Sequence, residues 1–292
     1  MQVKFQSAAD FKRSLEARLQ TLSAKTQEDL QRFRRQVAFD RFLARIFSCP
    51  EPPEFFLKGG YAMELRIATA RTTRDVDLSY TRRIKDSDQL LRDIIFADLQ
   101  SFARIDLNDH FSYQIGKAQK DLENTPYGGV RYPISSLIGN KLFVRFHVDI
   151  ASEFLPDEVE MIQGRDWLHF CGVDAPMIPM ISVEQQFAEK LHAYTMPRGN
   201  RQNSRVKDLV DMILLLRMRE IKPEAMVKSM QRVFGGRSSH PSPQRLEPPP
   251  TEWQERFVEL AKECGLSDDI GKAFEQVSQF YASFADMQKV TF

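Results

Sequence analysis

The chain has 292 residues, 42% hydrophobic and 28% charged, with a formal net charge of +1. That length buries a real core in one large domain or two modest ones, and the composition is globular rather than fibrous or disordered. A balanced charge excludes overall basicity as a nucleic-acid-binding device, so contact with RNA or DNA has to rest on a local basic patch.

Three cysteines, Cys49, Cys171 and Cys264, lie far apart with no CxxC spacing and no paired histidines. This argues against a disulfide framework and against zinc, and it fits a reducing cytosol. The first twenty residues mix Lys4, Asp10, Lys12, Arg13, Glu16 and Arg18 with apolar residues, which is not the pattern of a signal peptide. No uncharged apolar run approaches the roughly 18 residues of a membrane span, so no membrane partner is expected.

Residues 7–47 read as a helical arm. Apolar residues recur at Phe11, Leu15, Leu19 and Leu22, then at Phe33, Val37, Phe39, Phe42, Leu43 and Ile46, near the helical period. Cys49-Pro50 and Pro52-Pro53 close it. A mixed α/β region follows. Phe55–Leu57 is a short buried strand, Tyr61–Ile67 a short helix and Asp75–Tyr80 a strand. Ser87–Phe102 is a helix capped by Ser87, with Leu90, Leu91, Ile94, Ile95 and Leu99 on its inner face. Phe111–Ala118 and Val130–Ile138 read as strands, separated by Pro126 and Gly128-Gly129. Pro133 demotes part of the second to an edge or bulge. Phe143–Ile150 is a strand. Asp174–Pro179, with two prolines, reads as a linker.

Beyond it the pattern turns helical. Ser182 and Gln185 form a capping-box start for a helix to about Thr195. Ser204 caps a second helix to about Glu220, whose Leu209–Leu216 segment is mostly apolar and expected to be buried. Pro223 opens a third. Gly235–Pro250 is a proline-rich mobile or extended loop. Two more helices, about Glu252–Cys264 and Ser267–Phe284, finish the chain. The expected organisation is residues 1–178 as helical arm plus α/β core and residues 179–292 as a helical C-terminal domain.

The chemistry concentrates between Phe55 and Tyr80. A strand has a period of two, so Asp75 and Asp77 project on one face while Val76 and Leu78 face the core. Two carboxylates on an anchored strand suit magnesium, which keeps waters and phosphates as its other ligands. The alternation at Arg145–Ile150 offers a third carboxylate, Asp149, with His147 on the same face. If that strand lies beside Asp75–Asp77, three carboxylates converge and could hold two magnesium ions. The bland alternative is an exposed polar strand face.

Lys58-Gly59-Gly60 follows an apolar strand and opens a helix, where backbone N–H groups form an anion site for triphosphate oxygens. A tight strand-to-helix turn is the plainer reading. Arg66, Arg71 and Arg74 flank the carboxylates as cations for phosphate, and Thr72 and Thr73 add hydroxyls. A phosphate on either threonine would place negative charge where a triphosphate binds.

In the helical half, Lys190 lies between the apolar Phe187 and Leu191 and needs a partner. Asp208 and Asp211 share a helix face, and Lys207 is spaced to pair with Asp211. Lys190 either reaches the triphosphate, fixed by Asp208 or Asp211, or makes an interhelix salt bridge. His192 reads as an ordinary half-buried histidine.

Taken together, LKGGYAMELR, RTTRDVDL, VDIAS, FAEKLHAYT and SRVKDLVDMILL resemble the AbiEii/AbiGii nucleotidyltransferase toxins, and within them the MenT-type enzymes, over nearly the whole chain. The resemblance implies an α+β fold: a DNA polymerase-β-like nucleotidyltransferase core with a helical N-terminal arm and an α-helical C-terminal domain. It implies Mg²⁺-dependent transfer of a nucleotide from an NTP to the 3′ end of tRNA, with a cognate antitoxin, AbiEi-like or other, as partner.

Carried over by position, Gly59 and Gly60 cradle the triphosphate and Asp75 and Asp77 hold the metals. Asp149 matches the third acidic position, Lys190 contacts phosphate and Asp211 completes the pair. Lys58, Arg66, Thr73 and Asp208 are the further nucleotide-binding candidates. A surface for tRNA is expected from Arg32, Arg34 and Arg35, from Arg82, Arg83 and Lys85, and from Arg198, Arg201 and Arg205. Transfer to a small molecule or a protein side chain, or a non-catalytic nucleotide- or antitoxin-binding module, are the alternatives.

Overall fold

In the computed structural model, residues 5–48, 55–81, 88–122, 128–156, 158–199, 202–218 and 221–285 are described. The helical arm consists of two helices. Helix α1 (Ala8–Thr26) starts where the Ser7 hydroxyl accepts from Asp10 N–H and ends at Gln27, whose left-handed backbone (φ 60°) cannot continue a helix. Helix α2 (Leu30–Ile46) restarts at Asp29, whose carboxylate accepts from Gln31 N–H.

The α/β elements follow as β1 (Phe55–Lys58), α3 (Gly59–Arg66), β2 (Asp75–Tyr80), α4 (Asp88–Ala103), β3 (Phe111–Ile115), β4 (Lys120–Asp121), β5 (Gly129–Ile138), β6 (Lys141–Ser152), β7 (Val159–Gln163) and β8 (Met177–Ile181). They form an eight-stranded mixed sheet in the order β3-β5-β6-β2-β1-β8-β7, with β4 also on β5. Strands β2 and β6 run parallel, as do β1 and β8, while β1–β2 and β5–β6 are antiparallel.

One face of this sheet is apolar. Val76, Leu78, Val130, Tyr132, Val148 and Ile150 are buried there and join one core with Phe11 and Leu15 of α1, Phe39 and Phe42 of α2, and Leu91, Ile95 and Leu99 of α4. Phe39 packs edge-on against Phe146 with ring centroids 4.9 Å apart. The opposite face carries the alternating polar residues and is where the candidate site lies.

Several boundaries differ from the sequence reading for identifiable reasons. Strand β8 begins inside the stretch read as a linker, overlapping it at residues 177–179. Its Ile178, Met180 and Ile181 are fully buried, and such a short apolar run has no alternation to mark it as a strand. Strand β5 is interior, not an edge. Pro133 is tolerated because its carbonyl accepts from Gly116 N at 2.8 Å on the side where β3 gives way to β4, so its missing N–H falls where the ladder is already interrupted. Strand β3 ends at Ile115, short of the expected Ala118. Leu90 is exposed, and Leu91, Ile95, Leu99 and Phe102 form the buried stripe of α4. The expected cap at Ser87, and the turn at Pro126, lie outside the described residues.

The remaining helices are α5 (Val183–Thr195), α6 (Val206–Met218), α7 (Pro223–Arg237), α8 (Gln254–Glu263) and α9 (Ile270–Ala285). Ser182 caps α5 through Gln185 N, and Pro223 occupies the start of α7. Ahead of α6 the Asn203 side chain, rather than Ser204, accepts from Arg205 N. Gly235 and Gly236 are helical, inside α7. The proline-rich segment after them is extended and packed: Tyr194 and Tyr281 donate their hydroxyls to the carbonyls of Glu247 and Pro243, and Leu246 is buried.

The chain divides into two units. One comprises Met1–Leu65, Thr72–Glu153 and Glu160–Met180. The other comprises Arg66–Arg71, Phe154–Val159 and Ile181–Phe292. Among the described residues no helix is long and apolar enough to cross a membrane.

Helix α2 carries a fully buried carboxylate, Asp40, which accepts from Tyr61 Oη, Arg165 N and Trp167 Nε1. Burial outweighs these hydrogen bonds and pushes its pKa from 3.8 to about 6. The fold therefore favours the protonated form. Its contribution to stability is complete below the unfolded-state value and is lost as pH rises through about 6. Asp40→Asn is expected to flatten the fall in melting temperature between acid and neutral pH, with a difference on the order of 3 kcal/mol between the two chains across that window. Parallel pH profiles for both chains in thermal melts would contradict this.

Candidate active site

Strand β2 presents Asp75 and Asp77 on the polar face, while Val76 and Leu78 are fully buried on the other. Its parallel neighbour β6 is in register: Asp77 is the partner of Asp149 and Asp75 the partner of His147. The adjacency expected from the two alternating patterns is therefore present. His147 Nδ1 lies 3.3 Å from Asp75 Oδ1, so this histidine lines the acidic row.

A further strand completes the row. Arg131 on β5 is the partner of Asp149 and grips it at both oxygens, Nε to Oδ1 and Nη2 to Oδ2, each at 2.7 Å. Arg131 Nη2 also lies 3.4 Å from Asp75 Oδ2. The Asp149 hydrogen bonds raise the pKa of Arg131 further, so it is a permanent cation.

The glycine turn is built around Asp77. Gly59 has φ +67°, and a Cβ there would come within 1.9 Å of Asp77 Oδ2. Gly60 N donates to the same oxygen at 3.3 Å, and a Cβ on Gly60 would meet Thr73 Oγ1 at 2.6 Å. Both glycines are needed because the carboxylate and Thr73 pack directly on the backbone. The Gly60 N–H thus points to Asp77 rather than standing open to a triphosphate oxygen as the sequence reading had it. Thr73 itself is held by a bond from its N–H to Glu64 Oε1 at 2.6 Å. Glu64 in turn accepts from Arg32 and Gln36 of α2. One buried carboxylate on α3 therefore ties the loop before β2 to the N-terminal arm.

The cations expected around the carboxylates are differently engaged. Lys58 pairs with Glu153 in a buried ion pair. Arg66 donates to Gln186 Oε1 and Ile181 O, both at 2.6 Å. Arg71 grips Asp211 at both oxygens, at 2.9 and 2.8 Å. Each is buried or nearly so, and a buried cation is kept only with its counter-charge or hydrogen bonds. Arg74 is exposed.

In the helical unit, Lys190 of α5 lies 3.3 Å from Asp208 and 2.9 Å from Asp211 of α6, so the interhelix salt bridge is formed. Burial pulls the lysine's pKa down, but the two aspartates outweigh it and the net direction is upward. Asp211 is fully buried, and Lys190 with Arg71 holds its pKa below the usual carboxylate range against the opposing effect of burial. The expected Lys207–Asp211 pair is replaced by these two cations, since Lys207 is on the exposed side of α6. His192 is fully rather than half buried, with Nε2 2.8 Å from Ser239 Oγ.

Two hard carboxylates on one strand face suit a magnesium-type cation, which keeps waters and phosphates as its other ligands. The expected three-carboxylate cage does not form. Among the described residues no three histidine, cysteine or acidic side chains are arranged to hold a metal ion. The physical reason is that both Asp149 oxygens are bound to Arg131. Asp75 and Asp77 are thus the candidate ligands.

The residues that sequence reasoning missed are Arg131, Glu64 and Glu153. Arg131 carried a signal: it is the one charged residue in a strand alternating with buried Val130 and Tyr132. Of the expected basic surface, Arg32 is buried against Glu64 and Arg34 pairs with Glu16. Arg35 lies 3.9 Å from Asp29, and Arg205 lies 3.7 Å from Asp208. Arg198 donates to Ala193 O. Arg82, Arg83, Lys85 and Arg201 lie outside the described residues.

The family model for the nucleotidyl transferase AbiEii toxin of type IV toxin–antitoxin systems matches residues 41–279. Among solved structures, MenT4, a nucleotidyltransferase toxin from Mycobacterium tuberculosis, aligns with a TM-score of 0.56 at 15% identity, over 94% of this chain and 98% of that one. JHP933 from Helicobacter pylori aligns with a TM-score of 0.49 at 14% identity, over 90% of this chain and 97% of that one. No curated protein matches. With the family model spanning most of the chain and the acidic strand pair and glycine turn inside the matched region, this chain belongs to the AbiEii nucleotidyltransferase toxin family.

Proposed function

We propose that this nucleotidyltransferase moves a nucleoside monophosphate from an NTP to the 3′ acceptor end of tRNA, with Mg²⁺ as its metal, in the cytoplasm, where both substrates are found. The observation that carries the reading is the packing of Asp77 onto the Gly59-Gly60 turn with Asp75 beside it on one strand face. In this reading the acceptor hydroxyl gives up its proton to water, its oxygen bonds to the α-phosphorus, and the bond from that phosphorus to the bridging oxygen breaks so that pyrophosphate leaves. A bound cation would polarise the phosphoryl oxygens and offset their charge. Asp75 and Asp77 would hold it, and the Glu64–Thr73 hydrogen bond keeps the loop ahead of them in place. The tRNA acceptor rests on the resemblance of the motif set to MenT-type enzymes.

Incubation with Mg²⁺, each labelled NTP in turn and total tRNA tests this. Label is expected on tRNA and should fall at least about a hundredfold in Asp77→Ala. Label on protein, or on no macromolecule at all, would overturn the acceptor.

Gly59→Ala should reproduce that loss by displacing the Asp77 carboxylate, at a folding cost of about 1–2 kcal/mol from its left-handed backbone. Unchanged transfer in Gly59→Ala would mean that the turn does not position Asp77.

For Lys190 the ion pair and a phosphate contact are separable. Lys190→Met leaves Asp211 with one cation fewer and is expected to destabilise the chain by about 3 kcal/mol. If Lys190→Arg restores the melting temperature but not transfer, the lysine touches the nucleotide. If it restores both, the ion pair is its whole role.

A further inference from the structure

Three carboxylates and one guanidinium share the polar face of the sheet. Asp77, Asp149 and Arg131 are direct cross-strand partners on β2, β6 and β5. Arg131 is not a wandering surface side chain. Its neighbours Val130 and Tyr132 are 2% and 0% exposed, and the Tyr132 hydroxyl is anchored to Arg92 O at 2.8 Å. The guanidinium sits flat against Asp149, with both contacts at 2.7 Å, and turns one nitrogen toward Asp75 at 3.4 Å. That is the strongest geometry available to a guanidinium and a carboxylate.

A two-metal arrangement in this row would need Asp149 as a ligand of the second ion. Both its oxygens already face a cation. A second metal ion placed on Asp149 would lie against the guanidinium in a partly shielded site, where like charges repel more strongly than in water.

We propose that Arg131 takes the place of a second metal ion, so that this site holds a single divalent cation on Asp75 and Asp77 while Asp149 serves as the arginine's counter-charge. The inference rests on the nucleotidyl-transfer reading of the same carboxylates. It makes Arg131 a positioning residue that sets the metal count.

The test counts ions directly. Mn²⁺ is titrated into the full chain with a non-hydrolysable NTP analogue, and free Mn²⁺ is read from its electron paramagnetic resonance signal against a protein-free blank. One Mn²⁺ per chain is expected in the wild type and two in Arg131→Gln, a gain that mere loss of structure does not produce. Asp149→Asn is expected to keep a count of one, weakened about tenfold as for loss of an outer-shell partner.

Two ions in the wild type, a count still at one in a folded Arg131→Gln, or an Asp149→Asn that loses an ion would each overturn the inference. Should Arg131→Gln fail to fold by circular dichroism, the wild-type count and Asp149→Asn decide. Labelled-NTP transfer to tRNA on the same samples separates the two readings. Two ions with label transferred overturns only the single-cation inference, whereas one ion without transfer supports it and removes the proposed acceptor.

Discussion

The parallel, in-register pairing of β2 with β6 is the constraint on which the site depends. It buries Val76 against Val148 and Leu78 against Ile150 on one side of the sheet. The same register then forces Asp77 against Asp149 on the other. Like charges directly opposite one another destabilise a sheet. The surrounding structure answers that cost locally: Arg131 arrives on the next strand at the row of Asp149, and the Gly60 N–H bonds Asp77. The hydrophobic pattern thus creates the electrostatic problem, and the neighbouring backbone and strand determine which charges remain for a metal.

The helical unit handles buried charge in the same way. Asp211 has no exposed surface, and it is accompanied by Lys190 and a bidentate Arg71. Removing either cation would leave a carboxylate short of compensation in a region of low polarity. Asp109 repeats the arrangement under the sheet, paired with Arg41 and Arg45 of α2. Asp40 is the exception, buried with hydrogen-bond donors but no ion-pair partner among the described residues, and it is the carboxylate whose pKa rises.

Much of the fold was legible because its signals are local. The alternation in DVDL and RFHVDI placed two strands with the correct faces. The apolar stripes of α1 and α2 and the caps at Ser182 and Pro223 placed helices. What was not legible depended on partners distant in the chain. The start of MIPMI looked like a linker because its residues are all apolar or proline and show no polar alternation, although Met177 is exposed, and Pro133 looked like an edge residue because only the β3–β4 break makes it acceptable inside a sheet. That Lys58, Arg66 and Arg71 contact Glu153, Gln186 and Asp211 was not legible, because these partners are about 95, 120 and 140 positions away.

By itself, then, the sequence determined which residues share a face: the two-residue period of a strand settles that Asp75 and Asp77 point together, and a glycine pair marks where backbone must come close to something. It also carried the ordered set of motifs that the family match bears out. Only the tertiary structure decided what each charged group meets. Strand order and register are set by packing across the whole sheet, and they alone placed Arg131 on Asp149. A charge's role follows from its neighbours in space rather than from its neighbours in the chain, and for that reason the third carboxylate of the sequence pattern is an arginine's partner in the fold.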